Sequence, residues 1–215
     1  TTTDEAGHFQ LVDVPATDNV PVIIQTGKWR KKLMMPTVAA CQDIPLGVAD
    51  TSLPKNKSQG DMPKIAITTG NADALECLPK KLGIDDSEFT TDANAGAIHM
   101  FQGDGAGTFA ANWAGGAGPF ASATTLWNDV NKLKQYDVVF FSCEGEQNPN
   151  KKPQTTLDAV KAYADLGGRV FASHYHHIWI SGNTNGTGTG AWSTLASWNY
   201  PSPGITTAVG NPTVP

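Results

Sequence analysis

From Lys64 onward the chain alternates short apolar runs with amphipathic stretches, and this alternation restricts its fold more than any other feature. "KIAITT" (64–69), "AIHMF" (97–101), "VVFFS" (138–142) and "RVFAS" (169–173) have the length and the β-branched or aromatic content of buried strands. Between the first two, "NADALECLPKKLG" (71–83) predicts a helix whose last turn Pro79 breaks or kinks. In "SATTLWNDVNKLKQYD" (122–137), Leu126, Val130 and Leu133 recur at helical spacing after Ser122, a candidate N-cap. "TTLDAVKAYADLGG" (155–168) puts Leu157, Val160 and Ala164 on one helix face, and Gly167 closes it. Strands alternating with helices predict βαβ units, hence an α/β domain over 64–180 with a doubly wound parallel sheet and helices on both faces.

The flanks follow different rules. Residues 1–38 alternate as strands do: Phe9, Leu11 and Val14 in "HFQLVDVP", then "VPVIIQTG" and "KWRKKLMMP" with Gly27 at the turn. Nothing helical interrupts them, so they predict the end of an antiparallel β-sandwich. Residues 39–63 lack periodicity and suit a linker, and 181–215 form a Gly/Thr/Pro-rich irregular tail. The start "TTTDEAGHF" and the end "GNPTVP" suggest a piece of a longer precursor, whose other regions are then natural partners. A net charge of −5 speaks against a nucleic-acid partner, and "KWRKK" (28–32) is expected to be a solvated strand face. No apolar run approaches the ~20 residues of a membrane span. Three cysteines are too few for a disulfide framework, and their odd number leaves one thiol free or paired outside this segment. Low charge with abundant Gly, Thr, Asn and Trp points to a secreted or cell-envelope protein.

Ligands of open α/β sheets sit beyond the carboxyl ends of the strands. Here those ends bring together Asn71 after the first strand, Gln102 and Asp104 after the second, Cys143, Glu144, Glu146 and Gln147 after the third, and His174, His176 and His177 after the fourth. The candidate ligand-binding set is Asn71, Glu144, Glu146, His174 and His176. "SCEGEQ" (142–147) has the letters of a cysteine nucleophile turn, making Cys143, Glu144 and His174 the catalytic candidates. Two glutamates beside Cys143 work against a thiolate, so a small buried residue or a disulfide partner are its other readings. If the fourth strand stays extended, His174 and His176 share one face. With Glu146 or Glu144 they could then hold a divalent metal, the one cofactor left open. Packing or ligand contact beside Tyr175 and Trp179 is the other role for these histidines. The glycine-rich "GDGAGTFAANWAGGAG" (103–118) has no Lys or Arg and lacks a phosphate-loop context, so it is expected to be a surface loop. Trp113, Trp192 and Trp198 either line a surface for glycan or anchor long loops.

Two resemblances follow from these residues. "TDEAGHFQLVDVP" with the Val/Ile strand after it resembles the C-terminal part of the carboxypeptidase regulatory-like domain, a transthyretin-like sandwich, which implies a stability or adhesion module. Residues 64–180 resemble the flavodoxin-like class I glutamine amidotransferase fold, nearest its trehalose-utilisation-protein-like branch. "YDVVFFSCEGEQN" matches the strand before the oxyanion loop, and "AYADLGGRVFASHYHH" matches the strand and nucleophile elbow. The resemblance puts His174 in the place of the family's cysteine and leaves Cys143 one strand too early. The family's later His-x-Glu pair has no counterpart. "IPLG", "IAITTGNADALECL" and "GIDDSEFT" also resemble segments of large secreted or lipid-anchored proteins of myxobacteria. Together these imply a non-catalytic extracellular or cell-envelope binding or structural module. A metal-dependent or Cys/His hydrolase at the strand ends, and a self-associating subunit of a surface polymer, are the alternatives.

Overall fold

The structure, a computed structural model, describes residues 1–113, 118–182 and 188–194. Asp18–Thr26 (β1) and Trp29–Thr37 (β2) pair antiparallel from Asp18↔Thr37 to Thr26↔Trp29. The chain reverses at Gly27–Lys28, and Gly27 takes the positive φ of 56° that a two-residue hairpin loop favours. The second sheet contains Ile65–Thr68 (β3), Phe89–Thr91 (β4), Ile98–Gln102 (β5), Ala121–Ser122 (β6), Val138–Phe141 (β7) and Arg169–Ala172 (β8). Its order is β4–β5–β3–β7–β8, with β6 beside the end of β5, and every pairing is parallel. The four runs expected as strands lie in the order second, first, third, fourth, as in flavodoxin-like folds. The topological switch point therefore falls between β3 and β7.

Six helices are described: Val48–Thr51 (α1), Cys77–Lys81 (α2), Ala123–Trp127 (α3), Val130–Leu133 (α4), Gln154–Asp165 (α5) and Ile178–Ser181 (α6). On one sheet face Ala66, Phe101, Val139 and Phe141 pack beneath Leu126, Trp127, Leu133, Leu157, Val160 and Trp179 from α3–α6. On the other, Ile65, Ile67, Ile98 and Met100 are covered by Ile84, just past α2, by Phe109 and Trp113 of the glycine-rich loop, and by Phe120 just after it. Trp113 is thus a loop anchor. Burial of each large side chain contributes roughly 1.5–3 kcal/mol, so both faces hold the sheet.

Local chemistry changes several expected boundaries. The helix expected over 122–137 is two helices, because Asp129 is extended and its carboxylate accepts from Asn131 N at 2.8 Å, capping α4. Leu126 and Leu133 are still buried in one cluster and Val130 packs against it, and Ser122 caps α3 as expected. The 71–83 helix contracts to α2, where Pro79 sits in the first turn and its missing N–H costs nothing. Residues 8–14 form no strand. Asp4 folds that segment back by accepting from Ala6 N (2.9 Å) and His8 N (2.8 Å), and Asp13 has a φ of 57°. The antiparallel piece is therefore a single hairpin.

Residues 39–63 are tied down. Arg30 and Asp61 exchange two backbone hydrogen bonds of 2.9 Å, and Trp29 Nε1 donates to Pro54 O at 2.7 Å. Trp29 also packs against the second core cluster, and Lys28 pairs with Asp137 at 2.5 Å. A cavity of about 1180 Å³ opens between the hairpin and residues 38–52, lined by Leu11, Val22, Met35 and Ile44 among others. A two-stranded sheet has too little apolar surface of its own to close such a space. No helix among the described residues is long and apolar enough to cross a membrane. Gly115, Gly116, Trp198 and most of the expected tail lie outside the described residues. In its described part, Thr189 N donates to Gln154 Oε1 at 2.8 Å.

Candidate functional site

The loops after β3, β5, β7 and β8 converge, but the switch-point crevice is closed by the chain itself. Asp73 Oδ1 accepts from Cys143 N at 2.7 Å and its Oδ2 accepts from the Ser173 hydroxyl. One carboxylate thereby joins the loops after β3, β7 and β8. Ala72 N adds a 3.0 Å bond to Cys143 O. Such close contact of main chains requires glycine: a Cβ on Gly70 would lie 2.2 Å from Cys143 O, and one on Gly105 2.4 Å from Gly70 O.

Beside this seal lies a buried ion pair. Lys152 Nζ stands 2.5 Å from Glu144 Oε2, each side chain only 1% exposed, and also donates to Gln147 O at 2.9 Å. The rings of Trp127 and Trp179 lie 5.0 and 5.8 Å from the same Nζ. Charges this deep persist only when paired. Burial still draws the Lys152 pKa down, against the pull of Glu144. Asn148 Nδ2 donates to the same Glu144 Oε2 at 3.2 Å and to Asp104, which also pairs with Lys151. The hydrogen bond that Lys151 donates to Asp104 raises the Lys151 pKa. The second carboxylate oxygen, Glu144 Oε1, is buried without a hydrogen-bond partner.

The histidines do not continue the strand. β8 stops at Ala172, His174 adopts a φ of 42°, and residues 174–177 form a 3-10 turn that leads into α6. The expectation that an extended strand sets His174 and His176 on one face is therefore overturned: the turn leaves His174 exposed and drives His176 into the core. His176 Nε2–H donates to Ser142 O at 2.8 Å, while Nδ1 accepts from Trp179 Nε1–H at 3.0 Å. The indole only donates, which fixes the tautomer. Burial, assisted by the Lys152 charge, pushes the His176 pKa down to about 3, so the ring is neutral. His177 Nδ1 lies 2.9 Å from Ser181 Oγ and its Nε2 3.3 Å from Gln147 Nε2, and burial lowers its pKa too.

The candidate residues thus separate into three groups. Glu144 and His176 are buried and engaged within the protein, whereas Asn71, Glu146 and His174 are exposed. Cys143 is buried, and its Sγ accepts from Gly145 N at 3.4 Å. All three cysteines are free, with Cys41 and Cys77 exposed. Among the described residues no three His, Cys, Asp or Glu side chains form a group fit to hold a metal ion, so the trio His174, His176 and Glu146 is not assembled. The sequence reading missed Asp73, Asn148, Lys152 and Ser173. Polar residues in "GNAD" and "NPNKKP" look like ordinary loop chemistry, and only the apolar walls folded around them reveal otherwise. Comparison of the chain with known protein families, curated proteins and solved structures gave no match.

Proposed function

We propose that this chain is a non-catalytic extracellular or cell-envelope module, built on a degenerate amidotransferase-like α/β scaffold, that binds through the rim of its strand-end loops. The observation that carries this reading is the state of Cys143. Its thiol is buried, and the histidine nearest in sequence to the fold's elbow that enters the core, His176, spends both ring nitrogens on Ser142 O and Trp179. A thiol nucleophile needs access and a base within reach; burial of Cys143 speaks against the first, and the engagement of both His176 nitrogens speaks against that ring as the second. The left-handed backbone of His174, directly after β8, supports its reading as the residue in the elbow's vacated place. Exposed His174, Tyr175, Asn71 and Glu146 form the rim that meets a ligand, with cell-surface glycan the class tested first.

The test has two arms. Iodoacetamide on the native protein should alkylate Cys41 and Cys77 and spare Cys143, and ester and amide substrates should not turn over. Binding on a glycan array should weaken at least tenfold in the His174→Ala, Tyr175→Ala double variant. Rapid labelling of Cys143, or hydrolysis that disappears in His174→Ala, would replace the binding reading with the hydrolase alternative.

A further inference from the structure

We propose that Lys152 and Asn148 are a self-modification site, joined by an isopeptide bond between Lys152 Nζ and Asn148 Cγ with Glu144 as the proton carrier. The three groups already share one oxygen: Glu144 Oε2 contacts Lys152 Nζ at 2.5 Å and accepts from Asn148 Nδ2 at 3.2 Å. Amine and side-chain amide are thus held together by a carboxylate with 1% exposure. Such proximity is what turns a slow aminolysis into an intramolecular reaction.

The surroundings supply the remaining chemistry. Trp127 and Trp179 wall off Lys152 and exclude water, so hydrolysis of the amide does not compete. The same burial favours the neutral, nucleophilic amine. Glu144 Oε1, with no hydrogen-bond partner, is the oxygen available to carry the proton released by the ammonium. In the reaction the Nζ lone pair adds to Cγ and the Nζ–Cγ bond forms. Two of the three Nζ protons pass through the Glu144 carboxyl to Nδ2, the Cγ–Nδ2 bond breaks, and the nitrogen leaves as ammonium. No oxidant, metal or cofactor enters the balance. The product is one amide and one ammonium ion, a loss of one ammonia from the mass of the neutral chain, and Glu144 returns to its starting carboxylate.

The sequence also closes the competing route. Asparagine ordinarily loses ammonia when the next backbone nitrogen attacks its side chain, but Asn148 is followed by Pro149, which has no N–H to act in this way. Ammonia loss localised to Asn148 therefore has to involve another nucleophile, and the amine on its carboxylate is Lys152.

Intact mass spectrometry of the whole folded chain, followed by tryptic mapping, tests this. The protein should be lighter than its sequence by one ammonia. Cleavage after Lys151 should leave two peptides that stay covalently joined through Asn148 and Lys152. Asn148→Ala keeps the Glu144–Lys152 pair and removes the electrophile together with its hydrogen bonds to Asp104 and Glu144, so once near-ultraviolet circular dichroism shows it folded it should show the full sequence mass. Lys152→Arg should do the same. A wild-type chain at full mass, or an ammonia loss that persists in folded Asn148→Ala, overturns the proposal. Should Glu144→Gln fold, as judged by near-ultraviolet circular dichroism, it should remain unlinked, and linkage in that variant would equally overturn the role given to Glu144.

Discussion

His176 shows what one side chain does when both ends of its ring are used. It donates to Ser142 O, accepts from Trp179 and stacks on the Trp179 ring at an interplanar angle of 7°. Replacement by leucine keeps the apolar volume but strands a buried carbonyl and a buried indole N–H. Each stranded group costs about 1–3 kcal/mol, so with two of them His176→Leu should lose roughly 2–6 kcal/mol in urea unfolding at pH 7. A loss below about 1 kcal/mol would mean that neither bond contributes. The same bonds explain why the histidine cluster was only half legible in sequence. Three histidines after an apolar strand mark a strand end correctly. Which ring turns inward depends on the positive φ at His174 and on the position of Trp179, and no spacing rule contains either.

At the scale of elements, the apolar runs of β3, β5 and β7 were legible because burial on both faces of a parallel sheet selects mainly Val, Ile, Phe, Met and Ala, whereas β8, expected as a buried strand, is the sheet edge and largely exposed. Ala66, Ile67, Val139 and Phe141 are all fully buried. The 122–137 segment was legible in its buried face and not in its continuity. Leu126 and Leu133 obey the helical period across a break that Asn128 and Asp129 introduce. Asp129 chooses between continuing one helix and capping the next, and the cap wins because the Trp127 and Leu133 anchors are already satisfied. Asp129→Ala should therefore cost about 1 kcal/mol, read as a lower urea midpoint with unchanged slope. Ala at Gly70 is a sharper test of the sealed switch point. Its Cβ would meet the Cys143 carbonyl, so the loops must part. Overpacking of this kind costs roughly 1–3 kcal/mol, and amide exchange should rise first in the loops after β3 and β7. Unchanged exchange there would show that the two loops do not rest on one another.

For the whole molecule, acid is the informative perturbation. Burial pushes His99 down to about 4 and His176 down to about 3 from an ordinary value of 6.5. As pH falls below 6.5 the unfolded chain takes up protons that the folded chain refuses. Stability is thus fully present above about 6.5 and is lost down to pH 4 through His99 and pH 3 through His176. At 1.36 kcal/mol for each pKa unit the losses are on the order of 3 and 5 kcal/mol. The urea midpoint should drop steadily from pH 7 to pH 4.5, and the drop should shrink in His176→Leu; a flat profile would contradict the buried, neutral state of both rings. The N-terminal hairpin is fastened to the α/β body through Trp29, which reaches both Pro54 O and the second core cluster. Trp29→Ala should raise amide exchange across β1 and β2 with little change in β3, β5 and β7. In mechanical terms, Trp29 is an anchor set ahead of a stretch of irregular chain, residues 38–53. Tension applied from the N-terminal side runs along β1 to the turn and enters the parallel sheet through Trp29 and the Lys28–Asp137 pair. Residues 38–53, which lie between the hairpin and the Pro54 and Asp61 attachments, carry little load until that anchor lets go, and their release then lengthens the tether while the α/β body stays folded.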